Sequence, residues 1–323
     1  MDKVSIIIPV RNRREELSKC LGSVFTQRGL DYEVIVIDDA GDDEVSVSVN
    51  KIFPQVRFLR QERRTGPSFL RNLGILQSGG NYLWFLDSDT ELPDDSVLAR
   101  IYSRMKSGDA IGSVGGEIYS GGAADEGMGR RIGFLGGNPV LKAAKGGLPR
   151  ECGYLASCNC FLSKETALKI GGFDPYYLFG AEDKDLGFRI KNFGLINLVG
   201  YDYSVYHHRA SRGRIDNETY HYHAANRRFI LKNLGIARFF FVLLLDAVWL
   251  AFFYPLLPFK MIYKAARKIE IKKESFIAPI LIIRCYIWNF RNFKMTISSR
   301  NKNFLLPREI SEFLSWENKR NTL

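Results

Sequence analysis

The chain has 323 residues, of which 46% are hydrophobic and 25% are charged, so it is too apolar for an intrinsically disordered protein and long enough for one large domain with an appended region. The net charge of +11 is concentrated near the C-terminus, because residues 205–323 contain 21 Lys and Arg against 8 Asp and Glu. The five cysteines suggest no disulfide framework and are typical of a reducing compartment.

Strand and helix patterns alternate from the N-terminus onward. Continuous apolar runs predict strands at Val4–Ile8, Val34–Ile37, Val56–Leu59 and Tyr82–Leu86. Helical periodicity and Pro or Gly boundaries predict helices at Arg13–Thr26, Pro67–Gln77 and 93–108. Apolar strands joined by helices favour a parallel sheet that is covered on both faces. The first apolar run is too short for a signal peptide, so we expect the chain to remain in the cytoplasm.

Residues 110–180 are rich in glycine, and short strands are predicted around Ile111–Ile118 and Tyr154–Leu162. Cys158 and Cys160 lack a second pair with metal-site spacing, so we expect two buried thiols in a strand and not a zinc site. The pattern then predicts a helix at Glu182–Asn192 and short strands at Leu195–Val199 and Ser204–His207.

Acidic residues follow two of the predicted strands directly. Asp38-Asp39 follows the second strand and Asp87-Ser88-Asp89 follows the fourth. Since ligands bind beyond the carboxyl ends of parallel strands, these groups are expected at one edge of the sheet. Clustered carboxylates repel one another unless a cation neutralises them, and a hard ion such as Mn²⁺ or Mg²⁺ suits this pattern. An ordinary turn explains the Asp-Ser-Asp sequence alone equally well.

The order of the motifs resembles glycosyltransferase family 2 over about residues 3–210. The motifs begin with Ser5-Ile6-Ile7-Ile8-Pro9-Val10-Arg11-Asn12 and continue with 34–39, 70–74, 84–89, 171–174 and 180–186. The resemblance implies an α/β GT-A fold, which is Rossmann-like with a mainly parallel sheet, and inverting transfer of a sugar from a nucleotide diphosphate. The chain departs from the family pattern at two places, with Ala40-Gly41 after the aspartate pair and Arg11 in place of an aromatic residue. These departures affect which nucleobase is expected in the donor and do not affect the expected fold.

The resemblance also implies a role for each motif. Donor binding is assigned to Pro9, Val10, Arg11, Asp39, Arg71, Asp87 and Ser88, and Mn²⁺ or Mg²⁺ binding to Asp87, Asp89 and His207. Asp89 is the favoured direct ligand, and His208 is the alternative to His207. The base that takes the proton of the acceptor hydroxyl is Asp183, with Glu182 less favoured. Without the resemblance, Glu182 and Asp183 are also explained as favourable charges at a helix N-terminus.

Other residues after the last strand have weaker assignments. Arg209, Arg212 and Arg214 match the geometry of a diphosphate, and a solvated basic loop is an equally good interpretation. The two histidines also fit partly exposed surface residues. Ser211 follows the histidines as a serine often does in related enzymes.

The C-terminal third combines apolar and basic segments. Phe239–Phe259 is nominally long enough to span a bilayer, but Asp246 and two prolines argue against a simple spanning helix. The basic stretch Lys260–Lys273 and the apolar segment Phe276–Trp288 favour helices lying at a membrane surface. A buried helical subdomain or an oligomer interface is the alternative. No nucleic-acid-binding motif accompanies the charge.

These observations predict a GT-A domain at residues 1–215, with a nucleotide-binding half at 1–93 and an acceptor half at 94–215, and a membrane-associating helical region at 216–323. The expected protein lies on the inner face of the cell membrane and transfers a sugar to a glycan or lipid-linked glycan in surface polysaccharide synthesis. UDP-sugars are the favoured donors and dTDP-rhamnose the second choice. The competing hypothesis is a non-catalytic membrane-surface protein that retains the fold.

Overall fold

The structure is a computed structural model that describes residues 2–42, 45–108, 110–120, 129–141, 147–208, 217–256 and 274–321. The strands are β1 (Lys3–Val10), β2 (Asp31–Asp38), β3 (Arg57–Arg60), β4 (Tyr82–Leu86), β5 (Thr90–Glu91), β6 (Ile111–Tyr119), β7 (Gly129–Arg130), β8 (Val140–Leu141), β9 (Arg150–Cys152), β10 (Asn159–Ser163) and β11 (Ile196–His207). Some of the predicted features, namely Arg209, Ser211, Arg212, Arg214 and Lys260–Lys273, lie outside the described residues.

The helices cover both faces of the sheet and form the C-terminal region. The α-helices are α1 (Arg14–Val24), α2 (Val45–Ile52), α3 (Pro67–Gln77), α4 (Val97–Met105), α5 (Lys164–Ile170), α6 (Glu182–Asn192), α7 (Glu218–Phe229), α8 (Ile236–Val248), α9 (Glu274–Arg291), α10 (Phe293–Ser298) and α11 (Pro307–Asn321). Two π-helical turns cover Ile230–Leu234 and Trp249–Phe253, and 3₁₀ turns cover Tyr254–Leu256 and Ser299–Asn301. None of the helices in the described part of the chain is both long and apolar enough to cross a membrane.

Nine strands form one mixed, mostly parallel sheet. The strand order is β3-β2-β1-β4-β10-β6-β11-β5, and β9 pairs with β11. The four strands β3, β2, β1 and β4 are parallel, as the sequence predicts, whereas β10 is antiparallel to both β4 and β6. The loops after β1, β2 and β4 therefore meet at the same edge of the sheet.

Alternate residues of the central strands enter two different cores. Ile6, Val34 and Trp84 pack against α1 and α4 on one face, in a core that includes Leu17, Leu21, Leu98 and Ile101. Ile7, Ile35 and Phe85 pack on the other face, in a core that includes Leu70, Ile75 and Phe173. Burial on both faces explains why these strands are apolar throughout.

One predicted feature of the sheet differs in the structure. The two short strands predicted at Leu195–Val199 and Ser204–His207 are a single strand, β11, with a register shift between Gly200 and Val205. The backbone of β11 passes so close to β6 that a Cβ atom on Gly116 would lie 2.0 Å from the Tyr203 carbonyl oxygen. The shift carries the end of β11 to β5, where His207 pairs with Thr90.

A buried ion network joins the C-terminal helices to the sheet region. Asp174 accepts hydrogen bonds from Arg228 Nη2 at 2.7 Å and from Lys232 Nζ at 2.8 Å. Lys232 Nζ also lies 2.8 Å from Asp185 Oδ1 on α6, and Asp185 Oδ2 accepts from Arg189 Nε at 2.8 Å. The network thus connects α7 and the following π-helical turn to the helix that begins with Glu182.

The apolar helix α8 is buried on one side and exposed on the other. Phe239 and Val242 are buried against α9, and Asp246 pairs with Arg227 at 2.7 Å and with the Tyr286 hydroxyl at 2.6 Å. The exposed large apolar residues of α8, the turn after it and α9 are Ile236, Phe240, Phe241, Leu244, Leu245, Val248, Trp249, Phe252, Ile280, Ile283, Ile287 and Phe290. The rings of Phe240 and Phe290 contact each other, so the exposed rows of the two helices form one apolar surface. We refer to this set as the α8–α9 surface.

Candidate active site

The loops at the carboxyl ends of β1, β2 and β4 surround a cavity of about 520 Å³. Residues predicted for donor and metal binding line it together: Pro9, Val10, Arg11, Asp39, Arg71, Asp87, Ser88, Asp89 and His207. Glu182, at the start of α6, lines the same cavity.

Backbone amides hold Asp39 in place at the β2 side of the cavity. Asp39 Oδ1 accepts hydrogen bonds from the Thr65 amide at 2.6 Å and the Thr65 hydroxyl at 3.1 Å, and Oδ2 accepts from the Gly66 amide at 3.0 Å. Burial raises the pKa of Asp39, and the hydrogen bonds oppose that shift. The next residue, Ala40, has a left-handed φ of 52°, which costs energy for a residue with a Cβ atom.

The Asp-Ser-Asp motif faces His207 across the β4–β5 turn. His207 Nε2 lies 3.3 Å from Asp89 Oδ1 and 3.8 Å from Asp87 Oδ2. The other oxygen of Asp89 lies 3.2 Å from Arg13 Nη1. His208, in contrast, is half exposed and its Nε2 lies 2.7 Å from Glu91 Oε2. The geometry therefore brings His207, and not His208, to the aspartates.

A cysteine completes a set of potential metal ligands that sequence analysis did not find. One ligand atom each from Asp87, Cys158 and His207 lie within 4.8 Å of one another. Carboxylate, imidazole and thiolate groups suit a divalent transition ion. The donor chemistry thus fits an ion at the end of β4, held by Asp87 and His207, with Asp89 beside the same imidazole.

Arg71 links the Asp-Ser-Asp motif to the start of α6. Its side chain is buried, its Nη2 donates to Asp87 Oδ1 at 2.7 Å, and its Nη1 lies 3.8 Å from Glu182 Oε1. The guanidinium also stacks over the Phe173 ring, with its carbon 5.4 Å from the ring centroid. Since Arg71 engages Oδ1 of Asp87, the Oδ2 atom is the one that points toward His207.

Glu182 and Asp183 differ in their surroundings although they are adjacent. Burial, and secondly the charge of Asp183, raise the pKa of Glu182 to about 7. Burial also raises the pKa of Asp183, whose Oδ1 accepts a hydrogen bond from the Lys184 amide at 2.7 Å. Burial raises the pKa of Tyr154, and the charge of the nearby Asp183 adds to that shift. Glu182 lines the cavity, whereas Asp183, the favoured base, is not among its lining residues. Both residues follow Ala181, which has a left-handed φ of 66°.

Several cavity residues were not predicted from the sequence. Arg13 was assigned only to the start of a helix, although it lies two positions after the Pro-Val-Arg segment. The C-terminal helices contribute further lining residues, which are Asn217, His221 and Glu317. No local pattern marks these three, because only the tertiary fold brings α7 and α11 to the cavity.

The model for glycosyl transferase family 2 matches residues 5–167, which is half of the chain. The chain belongs to glycosyl transferase family 2. Curated relatives are matched over 13% to 39% of their own length. One of them, the GalNAc(5)-diNAcBac-PP-undecaprenol beta-1,3-glucosyltransferase of Campylobacter jejuni, is 40% identical over 96 residues, which cover 28% of this chain and 31% of that protein.

Solved structures of glycosyltransferases share the fold. GalNAc-T7 with UDP, GalNAc and Mn²⁺ aligns with a TM-score of 0.60 and 18% identity, covering 72% of this chain and 48% of that one. The mannosyltransferase PcManGT of Pyrobaculum calidifontis, in complex with GDP-Man and Mn²⁺, aligns with a TM-score of 0.53 and 15% identity, covering 93% and 84%. The predicted α/β GT-A-like fold is therefore confirmed for this member of family 2.

Proposed function

We propose that this family 2 protein is a metal-dependent, inverting glycosyltransferase that moves a sugar from a nucleotide diphosphate to a glycan or lipid-linked glycan. The observation that carries the proposal is the meeting of the Asp-Ser-Asp motif, His207, Arg71 and Glu182 in one cavity. The same cavity has Asp39 and the Pro9-Val10-Arg11 loop at its β1–β2 side, which is where we propose that the nucleoside binds.

The proposed metal is Mn²⁺ or Mg²⁺, held by Asp87, Asp89 and His207. When bound, the ion would neutralise the charge that develops on the departing diphosphate. Arg71 fixes the Asp87 carboxylate through Oδ1 and leaves Oδ2 directed to the ion site. Arg13 balances the charge of Asp89 and holds its carboxylate at the end of β4.

Asp183 is the proposed base, and Glu182 the less favoured one. The Glu182 carboxylate lies 3.8 Å from the Arg71 guanidinium, which belongs to the side of the cavity that we propose for the leaving group. Asp183 lies near Tyr154 and outside the lining of the cavity, and we propose that the acceptor hydroxyl approaches the opposite face of the sugar from there. A base opposite the leaving group gives a single displacement with inversion, and a raised pKa suits proton transfer near neutral pH.

The donor and acceptor are proposed by class. UDP-sugars are the first choice and dTDP-rhamnose the second, with Ser88 and Asp39 among the donor-contacting residues. Both structural neighbours contain Mn²⁺ with a nucleotide or nucleotide sugar, and the Campylobacter relative is named for an undecaprenol-linked acceptor. The name of the Campylobacter relative supports a lipid-linked acceptor, and we propose surface polysaccharide synthesis as the process that uses it.

Membrane association is the proposed role of the α8–α9 surface. Its residues are large and apolar, with Leu244 59% and Phe252 70% exposed, and they belong to two contacting helices. The connecting sequence between the two helices is basic, which favours an anionic lipid surface on the inner face of the membrane. We accordingly propose residues 1–215 as the catalytic domain, with halves 1–93 and 94–215, and residues 216–323 as the docking region.

A screen of nucleotide sugars for stabilisation of the full chain with and without Mn²⁺ tests the proposal. A true donor at 100 times its Kd raises the unfolding free energy by about 2.7 kcal/mol. We expect stabilisation by one nucleotide class that requires the metal and is lost in Asp89→Ala. Hydrolysis of the donors is measured alongside stabilisation, because a non-catalytic protein with this fold could still bind a nucleotide. The absence of metal-dependent hydrolysis of any donor would refute the enzymatic assignment.

A further inference from the structure

We propose that Cys158 supplies a sulfur ligand to the divalent ion held by Asp87 and His207. The site would then favour borderline and soft ions, such as Co²⁺, Zn²⁺ and Cd²⁺, more than an all-oxygen and imidazole site does. This inference rests on the proposed metal dependence and adds a ligand and an ion preference to it.

The pairing of β10 with β4 brings Cys158 to the ion site. In the antiparallel register Asn159 lies opposite Leu86, so Cys158, the residue before Asn159, comes beside Asp87, the residue after Leu86. The thiol then lies within 4.8 Å of ligand atoms of both Asp87 and His207. These three residues come from separate segments, which only the assembled sheet brings together.

The end of β10 is held firmly enough to position a ligand. The side-chain Nδ2 of Asn159 donates to the Tyr203 carbonyl at 2.7 Å, and Trp84 Nε1 donates to Asn159 Oδ1 at 3.1 Å. The Thr90 hydroxyl donates to the Cys158 carbonyl at 3.4 Å. A thiol fixed by three neighbouring strands loses little entropy when it binds an ion.

The distances are compatible with a shared ion. Zinc lies about 2.3 Å from sulfur and about 2.0–2.2 Å from nitrogen or oxygen, so in its usual tetrahedral geometry a sulfur ligand and an oxygen or nitrogen ligand are about 3.6 Å apart. Ligand atoms that lie within 4.8 Å of one another therefore have to approach by up to about 1 Å when the ion binds. Thiolate selects softer ions than carboxylate does, whereas Mg²⁺ prefers oxygen ligands.

If Cys158 only fills the core, replacing it should leave the binding of divalent ions unchanged. Cys158 is 5% exposed and belongs to the core that contains Trp84 and Leu86. Cys160 is equally buried, at 3% exposed, but belongs to the core on the other face of the sheet. Cys160 is therefore the matched control, since a serine there introduces the same buried hydroxyl away from the ion site.

The test uses the metal-free full chain titrated with Co²⁺ alone, with Cd²⁺ and Mn²⁺ affinities measured separately by calorimetry. We expect a thiolate-to-cobalt charge-transfer band in the near ultraviolet for the wild type and for Cys160→Ser, and none for Cys158→Ser. The ratio of Cd²⁺ to Mn²⁺ affinity should fall at least about tenfold in Cys158→Ser and stay unchanged in Cys160→Ser. If Cys158→Ser fails to fold, Cys20→Ser decides the question, because Cys20 Sγ also lies near the motif, 3.6 Å from the Asp87 carbonyl oxygen. A band that persists in both Cys20→Ser and Cys160→Ser supports Cys158 as the ligand, and a band that is lost in Cys20→Ser overturns that role.

Two negative results separate this inference from the proposed function. Binding of Co²⁺ and Mn²⁺ without a charge-transfer band would overturn the role of Cys158 and leave the metal-dependent transferase intact. No binding of any divalent ion, with or without nucleotide, would overturn both.

Discussion

Lys232 lies at the centre of the ion network that joins the C-terminal helices to α6, and its replacement tests that connection. Its fully buried ammonium lies 2.8 Å from both Asp174 Oδ2 and Asp185 Oδ1. Lys232→Met removes the charge and keeps most of the side-chain volume. Loss of one partner from a buried ion pair costs about 3–5 kcal/mol. Each carboxylate keeps one guanidinium, from Arg228 or Arg189, so we expect the lower end, about 3 kcal/mol.

Urea-induced unfolding and calorimetry of the full chain measure this loss. At about 2 °C per kcal/mol for a chain of this size, Lys232→Met should lower Tm by about 6 °C. The control is Lys169→Met, since the Lys169–Glu165 pair on α5 is exposed and such pairs contribute below about 0.5 kcal/mol. Equal effects of the two substitutions would refute the reasoning. So would a wild-type protein in which the C-terminal region unfolds in a separate earlier transition.

Three further predictions concern the base, its pH dependence and the membrane. Asp183→Asn should lower kcat by roughly 10²–10⁴ with little change in donor affinity, and Glu182→Gln by much less; the reverse order in transfer assays would make Glu182 the base. Burial raises the pKa of Asp183, and a base acts only when it is ionised. As the pH falls, kcat/KM should therefore begin to decline well above the ordinary carboxyl pKa of about 4. A decline of kcat/KM only near that ordinary value would contradict the effect of burial. Leu244→Glu should weaken binding to anionic vesicles at least about tenfold in flotation assays, while Leu168→Glu, at a 42% exposed leucine on α5, should not; equal binding by both would exclude the α8–α9 surface.

The central sheet was largely predictable because its strands are buried on both faces. Helix α3 and strand β4 have the predicted bounds, Pro67–Gln77 and Tyr82–Leu86, and α6 begins and ends as predicted at Glu182 and Asn192. Proline and glycine mark the start of α3 and the segment after it, and an uninterrupted apolar run marks β4. The motifs that follow these strands also meet in one cavity, which is a direct consequence of parallel strand order.

Features that depend on distant residues were not predictable. Asp174 and Asp185 are paired with Arg228 and Lys232, which lie about 50 residues further along the chain, and no local pattern indicates this. Two of the basic residues counted in the C-terminal excess, Arg228 and Lys232, are therefore buried. They do not contribute to a lipid-facing basic surface. Asp246, which argued against a spanning helix, is likewise paired within the protein, with Arg227.

The position of Cys158 shows a second limit of sequence reasoning. Its spacing from Cys160 indicated buried thiols, and both thiols are buried. The antiparallel insertion of β10 beside β4, which interrupts the predicted parallel order, is what brings Cys158 to Asp87. Strand order is set by packing over the whole sheet, so a pattern within ten residues carries no information about it.

The central claim is that a divalent ion binds at the end of β4 and neutralises the diphosphate of the donor. Anomalous diffraction at the manganese edge, from crystals of the full chain soaked with MnCl₂ and UDP, tests it most directly. The account predicts one strong peak between the Asp87 and Asp89 carboxylates, His207 Nε2 and the diphosphate. Nucleotide bound in the cavity with no manganese peak, and with both carboxylates turned away from the phosphates, would contradict it.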